Sequence, residues 1–183
     1  MLEITFVTGN KEKLREAKEI LNKDIKINNI DIDLIEVQEI DGKKVAIEKA
    51  KTAYNIVKKP LFVEDTSLYI QSWNKLPGTF NKWFMRTVGN EGIIRMLKDF
   101  NDRSANAETV IAYHDGKKIR TFIGTVKGEI SDKVRGENGF GWDKIFIPNG
   151  LNKTQAELSA SEKNSLSTRR KAIEKLKRYL NEK

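Results

Sequence analysis

An α/β fold with a mixed β-sheet is predicted by three features of the chain. The first is its start, where the apolar run Leu2-Glu3-Ile4-Thr5-Phe6-Val7 ends in Thr8-Gly9-Asn10 and a helical stripe of Leu14, Ala17, Ile20 and Leu21 follows. The second is the alternation of such strands and helices up to Glu64-Asp65. The third is a later hairpin signal, in which Thr109–Tyr113 and Ile119–Val126 flank Asp115-Gly116. Alternating strands and helices imply parallel pairing and the hairpin implies antiparallel pairing, so the sheet is mixed. One domain over residues 1–183 holds both parts, with two lobes around a cleft.

Each element follows from local pattern. Residues 2–7 form a strand and 11–22 a helix, with one or two short strands within 25–35. Val45, Ala46, Ala50, Ala53, Ile56 and Val57 carry a second helix, stopped before Pro60. Leu61-Phe62-Val63 reads as a buried strand ending at Glu64-Asp65. Residues 80–98 are helical and broken near Val88-Gly89-Asn90. Lys144-Ile145-Phe146-Ile147 is a short strand stopped by Pro148. Ser159-x-x-Glu162 has capping-box form and opens a last helix carrying Leu166, Ile173, Leu176 and Leu180.

Composition narrows the chemistry. Hydrophobic content of 38 % and charged content of 33 % suit a soluble globular chain, expected in the cytoplasm. No apolar run reaches membrane-spanning length. The absence of cysteine excludes disulfides, thiol catalysis and thiolate metal sites. A single histidine, His114, argues against a Ser-His-Asp triad or a zinc site of several histidines. A net charge of +8 favours anionic partners such as nucleotides, other phosphates or nucleic acid. The lysines are dispersed, however, and the densest basic stretch, from Arg169 to Arg178, has the pattern of a solvated helix face.

A strand, a glycine turn and a helix start leave free N–H groups at the helix N-terminus, which favours an anion. Lys11, Lys13 and Arg15 crowd that end, although Glu12 and Glu16 balance them if the turn is simply solvated. Glu64-Asp65 follows a strand at the sheet edge where α/β ligands bind, and adjacent residues point to opposite faces. One carboxylate can therefore serve a site while the other supports the fold. Phosphate ligands commonly bring Mg²⁺, held by one or two carboxylates with phosphate oxygens and water. Gly139-Phe140-Gly141-Trp142-Asp143 sets two large aromatics beside glycines; Phe140 is expected in the core, and Trp142 either in the core or stacked on a base. Lys49 and Lys82 are phosphate contacts or plain helix surface.

These segments occur in a fixed order: Phe6-Val7-Thr8-Gly9-Asn10-x-x-Lys13, Asp33-Leu34-x-Glu36, Val63-Glu64-Asp65-Thr66, Leu76-Pro77-Gly78, Lys82-Trp83-Phe84, Phe140-Gly141-Trp142-Asp143, Ala156-Glu157-Leu158, Glu162-Lys163-Asn164 and Ser167-Thr168-Arg169. Together they resemble the inosine triphosphatase family, the non-canonical purine nucleoside triphosphate pyrophosphatases, and within it the eukaryote-type branch. The resemblance implies an elongated two-lobed fold, a homodimer, and Mg²⁺-dependent hydrolysis of ITP, dITP and XTP to monophosphate and pyrophosphate. It implies that Thr8, Gly9, Asn10, Lys11, Glu12 and Lys13 hold the triphosphate, with Lys13 the main cation. Glu36 and Asp65 match the metal ligands, and Asp65 also the catalytic base. Thr66, Lys49 and Lys82 match further triphosphate contacts. Phe140, Gly141, Trp142, Asp143, Lys163 and Arg169 match the base pocket, together with Thr168, which stands where the family usually has histidine. A basic nucleic-acid-binding protein on the same fold, or a pyrophosphatase for another modified nucleotide, are the alternatives; no nucleic-acid motif supports the former.

Overall fold

The computed structural model describes residues 2–21 and 25–182. Among them the sheet has seven strands, β1 (Leu2–Val7), β2 (Ile25–Ile30), β3 (Leu61–Ile70), β4 (Pro77–Gly78), β5 (Ser104–His114), β6 (Ile119–Ile130) and β7 (Phe146–Pro148). Their order is β2-β1-β3-β5-β6-β7, with β4 paired to β3. The helices are α1 (Lys11–Leu21), α2 (Gly42–Val57), α3 (Asn81–Thr87), α4 (Gly89–Met96), α5 (Ala160–Ser165) and α6 (Thr168–Asn181). The sheet is mixed as expected: β1 runs parallel to both β2 and β3, whereas β4 and β7 pair antiparallel with β3 and β6.

The chain forms two compact units. The first comprises the described residues of Met1–Thr66, Thr109–Gly124 and Thr168–Lys183. Its strands carry apolar side chains on both faces, as parallel strands covered by helices must. Ile4, Phe6, Phe62 and Ile111 pack with Ala17 and Leu21 of α1 and Ile173 and Leu176 of α6. Val7, Leu61, Val63 and Val110 pack with Ala46, Ala50 and Ala53 of α2. The Phe6 and Phe62 rings stack across β1 and β3 at 4.2 Å. The second unit, Ser67–Glu108 and Thr125–Ser167, has its own core of Leu68, Ile70, Ile93, Leu97, Val126, Ile130, Trp142 and Phe146.

Several local expectations are corrected. The strand expected to stop at Val63 continues to Ile70, so Glu64 and Asp65 lie within it. The last helix is two helices, interrupted at Leu166 and Ser167, although the Ser159–Glu162 capping box does form. Residues 141–144 make a 3₁₀ turn and β7 begins only at Phe146. The 25–35 region, expected to hold one or two short strands, holds one. Asn22, the expected end of the first helix, lies outside the described residues. The break near Val88-Gly89 is present between α3 and α4.

Candidate active site

The β1–α1 turn caps itself. Asn10 Oδ1 accepts from the N–H groups of Glu12 and Lys13 at 3.0 and 3.1 Å, and the Asn10 N–H donates to Thr8 Oγ1 at 3.1 Å. The Glu12 and Lys13 amides, expected to be free, are therefore engaged by the chain, which leaves Lys11 and Lys13 as the cationic side chains of the turn. Gly9 brings the turn close to Asp31: a Cβ there would stand 2.5 Å from its Oδ1, so that side chain would have to move aside. Lys11 and Glu12 are exposed.

Strand alternation in β3 then assigns partners. Phe62, Glu64 and Thr66 share the face covered by α1 and α6, whereas Leu61, Val63 and Asp65 share the face covered by α2. On the first face, Glu64 is a hub. Arg169 donates Nε to Oε2 at 2.8 Å and Nη2 to Oε1 at 3.0 Å, Lys13 Nζ lies 3.1 Å from Oε1, and Thr66 Oγ1 donates to Oε1 at 2.8 Å. Arg169 Nη1 reaches Glu16 of α1 at 2.6 Å. Burial by itself would raise the Glu64 pKa, but the charges of Arg169 and Lys13 and these hydrogen bonds outweigh it and hold the pKa at about 2. Burial likewise opposes the Arg169 charge, yet Glu64 and Glu16 push its pKa upward.

On the second face, Lys49 of α2 lies 2.8 Å from Glu36 Oε1 and 4.0 Å from Asp65 Oδ1, and donates to the Glu64 carbonyl at 3.3 Å. Two carboxylates thus face a common cation. Among the described residues no cluster of three or more His, Cys, Asp or Glu is arranged to hold a metal. Two hard oxygen donors at one cationic position suit Mg²⁺, which takes one or two carboxylates and completes its octahedron with phosphate oxygens and water. The donor set fits.

Of the remaining expected residues, Thr168 belongs to the first unit, and Lys82, Phe140, Gly141, Trp142, Asp143 and Lys163 belong to the second. Asp143 Oδ2 accepts from Lys163 Nζ at 2.6 Å and from the Phe140 N–H at 2.9 Å, and the Lys163 ammonium sits 5.5 Å from the Phe140 ring centroid. Phe140, expected in the core, is 49 % exposed; Trp142 fills the core instead at 9 %. The reason is the turn: Gly139 (φ +84°) and Gly141 (φ +61°) adopt left-handed conformations about Phe140, and Asn90 Nδ2 holds the Gly141 carbonyl at 3.0 Å. Lys82 is exposed on α3.

Three further contributors carry no distinguishing sequence signal: Glu16, an ordinary helix glutamate; Asp31 beside Gly9; and Thr109, whose Oγ1 lies 2.7 Å from Thr168 Oγ1.

Comparison with known proteins adds independent evidence. The Ham1 family model matches residues 4–179. An "inosine triphosphate pyrophosphatase" of Schizosaccharomyces pombe is 45 % identical over 179 residues, covering 97 % of this chain and 94 % of that protein. A "dITP/XTP pyrophosphatase" of Saccharolobus solfataricus is 40 % identical over 180 residues, covering 98 % and 94 %. The solved structure of a HAM1 protein from Coxiella burnetii superposes with a TM-score of 0.90 at 32 % identity, over 100 % of both chains.

Proposed function

The chain belongs to the Ham1 family, and from that premise we propose that it hydrolyses the non-canonical purine nucleoside triphosphates ITP, dITP and XTP to the nucleoside monophosphate and pyrophosphate. Water forms a new bond to the α-phosphorus as the α–β bridging P–O bond breaks, and pyrophosphate leaves. Asp65 takes the water proton. Glu36 and Asp65 would hold Mg²⁺, which would supply charge neutralisation on the phosphates.

The observation that carries this reading is the contrast between two neighbouring carboxylates. Glu64 has both oxygens engaged by Arg169 and a pKa of about 2, which disqualifies it as a base at neutral pH. Asp65 belongs to the other face of β3, with Lys49 and Glu36. Lys13, Lys49, Thr66, Lys82 and the Thr8–Glu12 turn are proposed triphosphate contacts, with Lys13 the cation that offsets charge on the departing pyrophosphate.

Selection of the base rests on donors. Lys163, and the two Arg169 N–H groups outside its three carboxylate bonds, are proposed donors to keto groups of the base, and Phe140, Gly141, Trp142, Asp143 and Thr168 are proposed as further base contacts. Adenine presents a 6-amino donor there and would leave those donors unpaired, a costly rejection. A homodimer, residence in the cytoplasm and no action on nucleic acid complete the proposal. Among the described residues no helix is long and apolar enough to cross a membrane.

Incubation with a panel of nucleoside triphosphates and Mg²⁺, reading monophosphate and pyrophosphate, tests the assignment. Turnover of ITP, dITP and XTP well above ATP is expected. No turnover of any nucleotide, alongside salt-sensitive RNA binding, would overturn it.

A further inference from the structure

The start of α6 is held from three strands. Thr168, its first residue, meets Thr109 of β5 at 2.7 Å between hydroxyl oxygens. Thr109 is 0 % exposed, and its oxygen also lies 3.5 Å from Oγ1 of Thr66 on β3. From β6, Gly124 approaches so closely that a Cβ on it would stand 2.0 Å from the Thr168 carbonyl oxygen and 2.8 Å from Lys171 Cβ. The next residue, Arg169, then carries its guanidinium to Glu64 and Glu16.

The direction of donation along this row is determined by the ionised carboxylate at its end. Thr66 donates to Glu64, which only accepts. Thr66 therefore accepts from Thr109, and both Thr109 contacts are satisfied together only if Thr109 accepts from Thr168. The Thr168 proton is thereby turned inward, and its free lone pair is what it offers a ligand. A buried hydroxyl without such partners is costly, so Thr109 couples the helix start to β3. A slip of one residue in α6 would turn the helix by about 100° and carry Arg169 off Glu64.

We propose that Thr109 is a positioning residue for the base-side contacts, fixing through Thr168 the start of α6 and the aim of Arg169. The inference rests on the assignment of Thr168 and Arg169 to substrate binding made above. Thr109→Val keeps the shape and removes the hydroxyl; Thr109→Ser keeps the hydroxyl and removes the methyl.

For ITP with Mg²⁺, Thr109→Val is expected to raise KM by about five- to tenfold with kcat within about twofold, and Thr109→Ser to retain the wild-type KM. In a Thr168→Val background, Thr109→Val is expected to add less than about twofold. Thr109→Ala against Thr109→Ser, which differ only in the hydroxyl, reads the same contrast should the valine variant fail to fold. An unchanged KM in the hydroxyl-free variants, a defect in Thr109→Ser equal to theirs, or independent effects of the 109 and 168 substitutions would each overturn the inference. A wild type without turnover defeats the functional reading and this inference with it; a wild type with turnover and an indifferent Thr109→Val defeats the inference alone.

Discussion

Arg169 grips Glu64 through two parallel hydrogen bonds, Nε to Oε2 and Nη2 to Oε1, across 105 residues of chain and with both side chains withdrawn from water. Such bidentate geometry is the strongest arrangement available to this pair of side chains. Because the pair is buried, its removal is more informative than its presence: what matters is which partner is left behind.

Glu64→Ala leaves the Arg169 charge with Glu16 alone and should destabilise the protein by about 3–5 kcal/mol in urea unfolding. Glu64→Leu combined with Arg169→Met should recover most of that loss. A double variant as unstable as Glu64→Ala would show that the cost lies in packing and not in the uncompensated charge.

Acid should weaken the fold through the same group. The folded-state pKa of Glu64 is depressed from 4.5 to about 2, so its contribution is complete above pH 4.5 and is lost as pH falls from there through 2. The shift corresponds to about 3 kcal/mol. Unfolding free energies measured from pH 6 down to pH 2 should decline more steeply in the wild type than in Glu64→Gln.

Asp65→Asn should lower kcat by about a hundredfold or more while the thermal transition stays near that of the wild type. A near-normal kcat in this variant would remove Asp65 from the base role.

Chelation should abolish turnover and added Mg²⁺ restore it. Glu36→Gln should require about tenfold more Mg²⁺ for half-maximal activity, read by titration at saturating ITP. An unshifted titration would take Glu36 out of the metal site.

Thr168→His puts an imidazole where a hydroxyl meets Thr109 at 2.7 Å. The relative kcat/KM for ITP, XTP and GTP should change by about threefold or more while triphosphate cleavage persists. Identical profiles before and after would separate residue 168 from base selection.

Much of this was legible in the chain. The Thr8–Lys13 turn, the α2 stripe and the Asp115-Gly116 hairpin are local patterns, and each formed where its pattern lies. The limits of β3 were not legible, because two adjacent acids look like the end of a buried strand. Glu64 is tolerated inside it because Arg169 arrives from the far end of the sequence and Lys13 from α1. Hydrophobicity alone put Phe140 in the core and left Trp142 open; with left-handed glycines on both sides of Phe140, it is Trp142 that turns inward. The shared cation of Glu36 and Asp65 depends on where α2 places Lys49, and the role of Thr109 depends on a hydroxyl 59 residues away.

The chain passes between its two units at four places, after Thr66, before Thr109, after Gly124 and before Thr168. These are the same four residues that meet around the start of α6. Topologically, then, the second unit is a pair of excursions, each leaving and returning at a root knotted within the first. A change of length or composition inside either excursion is therefore expected to leave the four roots, and the first-unit frame that carries Lys13, Glu36, Lys49 and Asp65, with their own contacts unaltered.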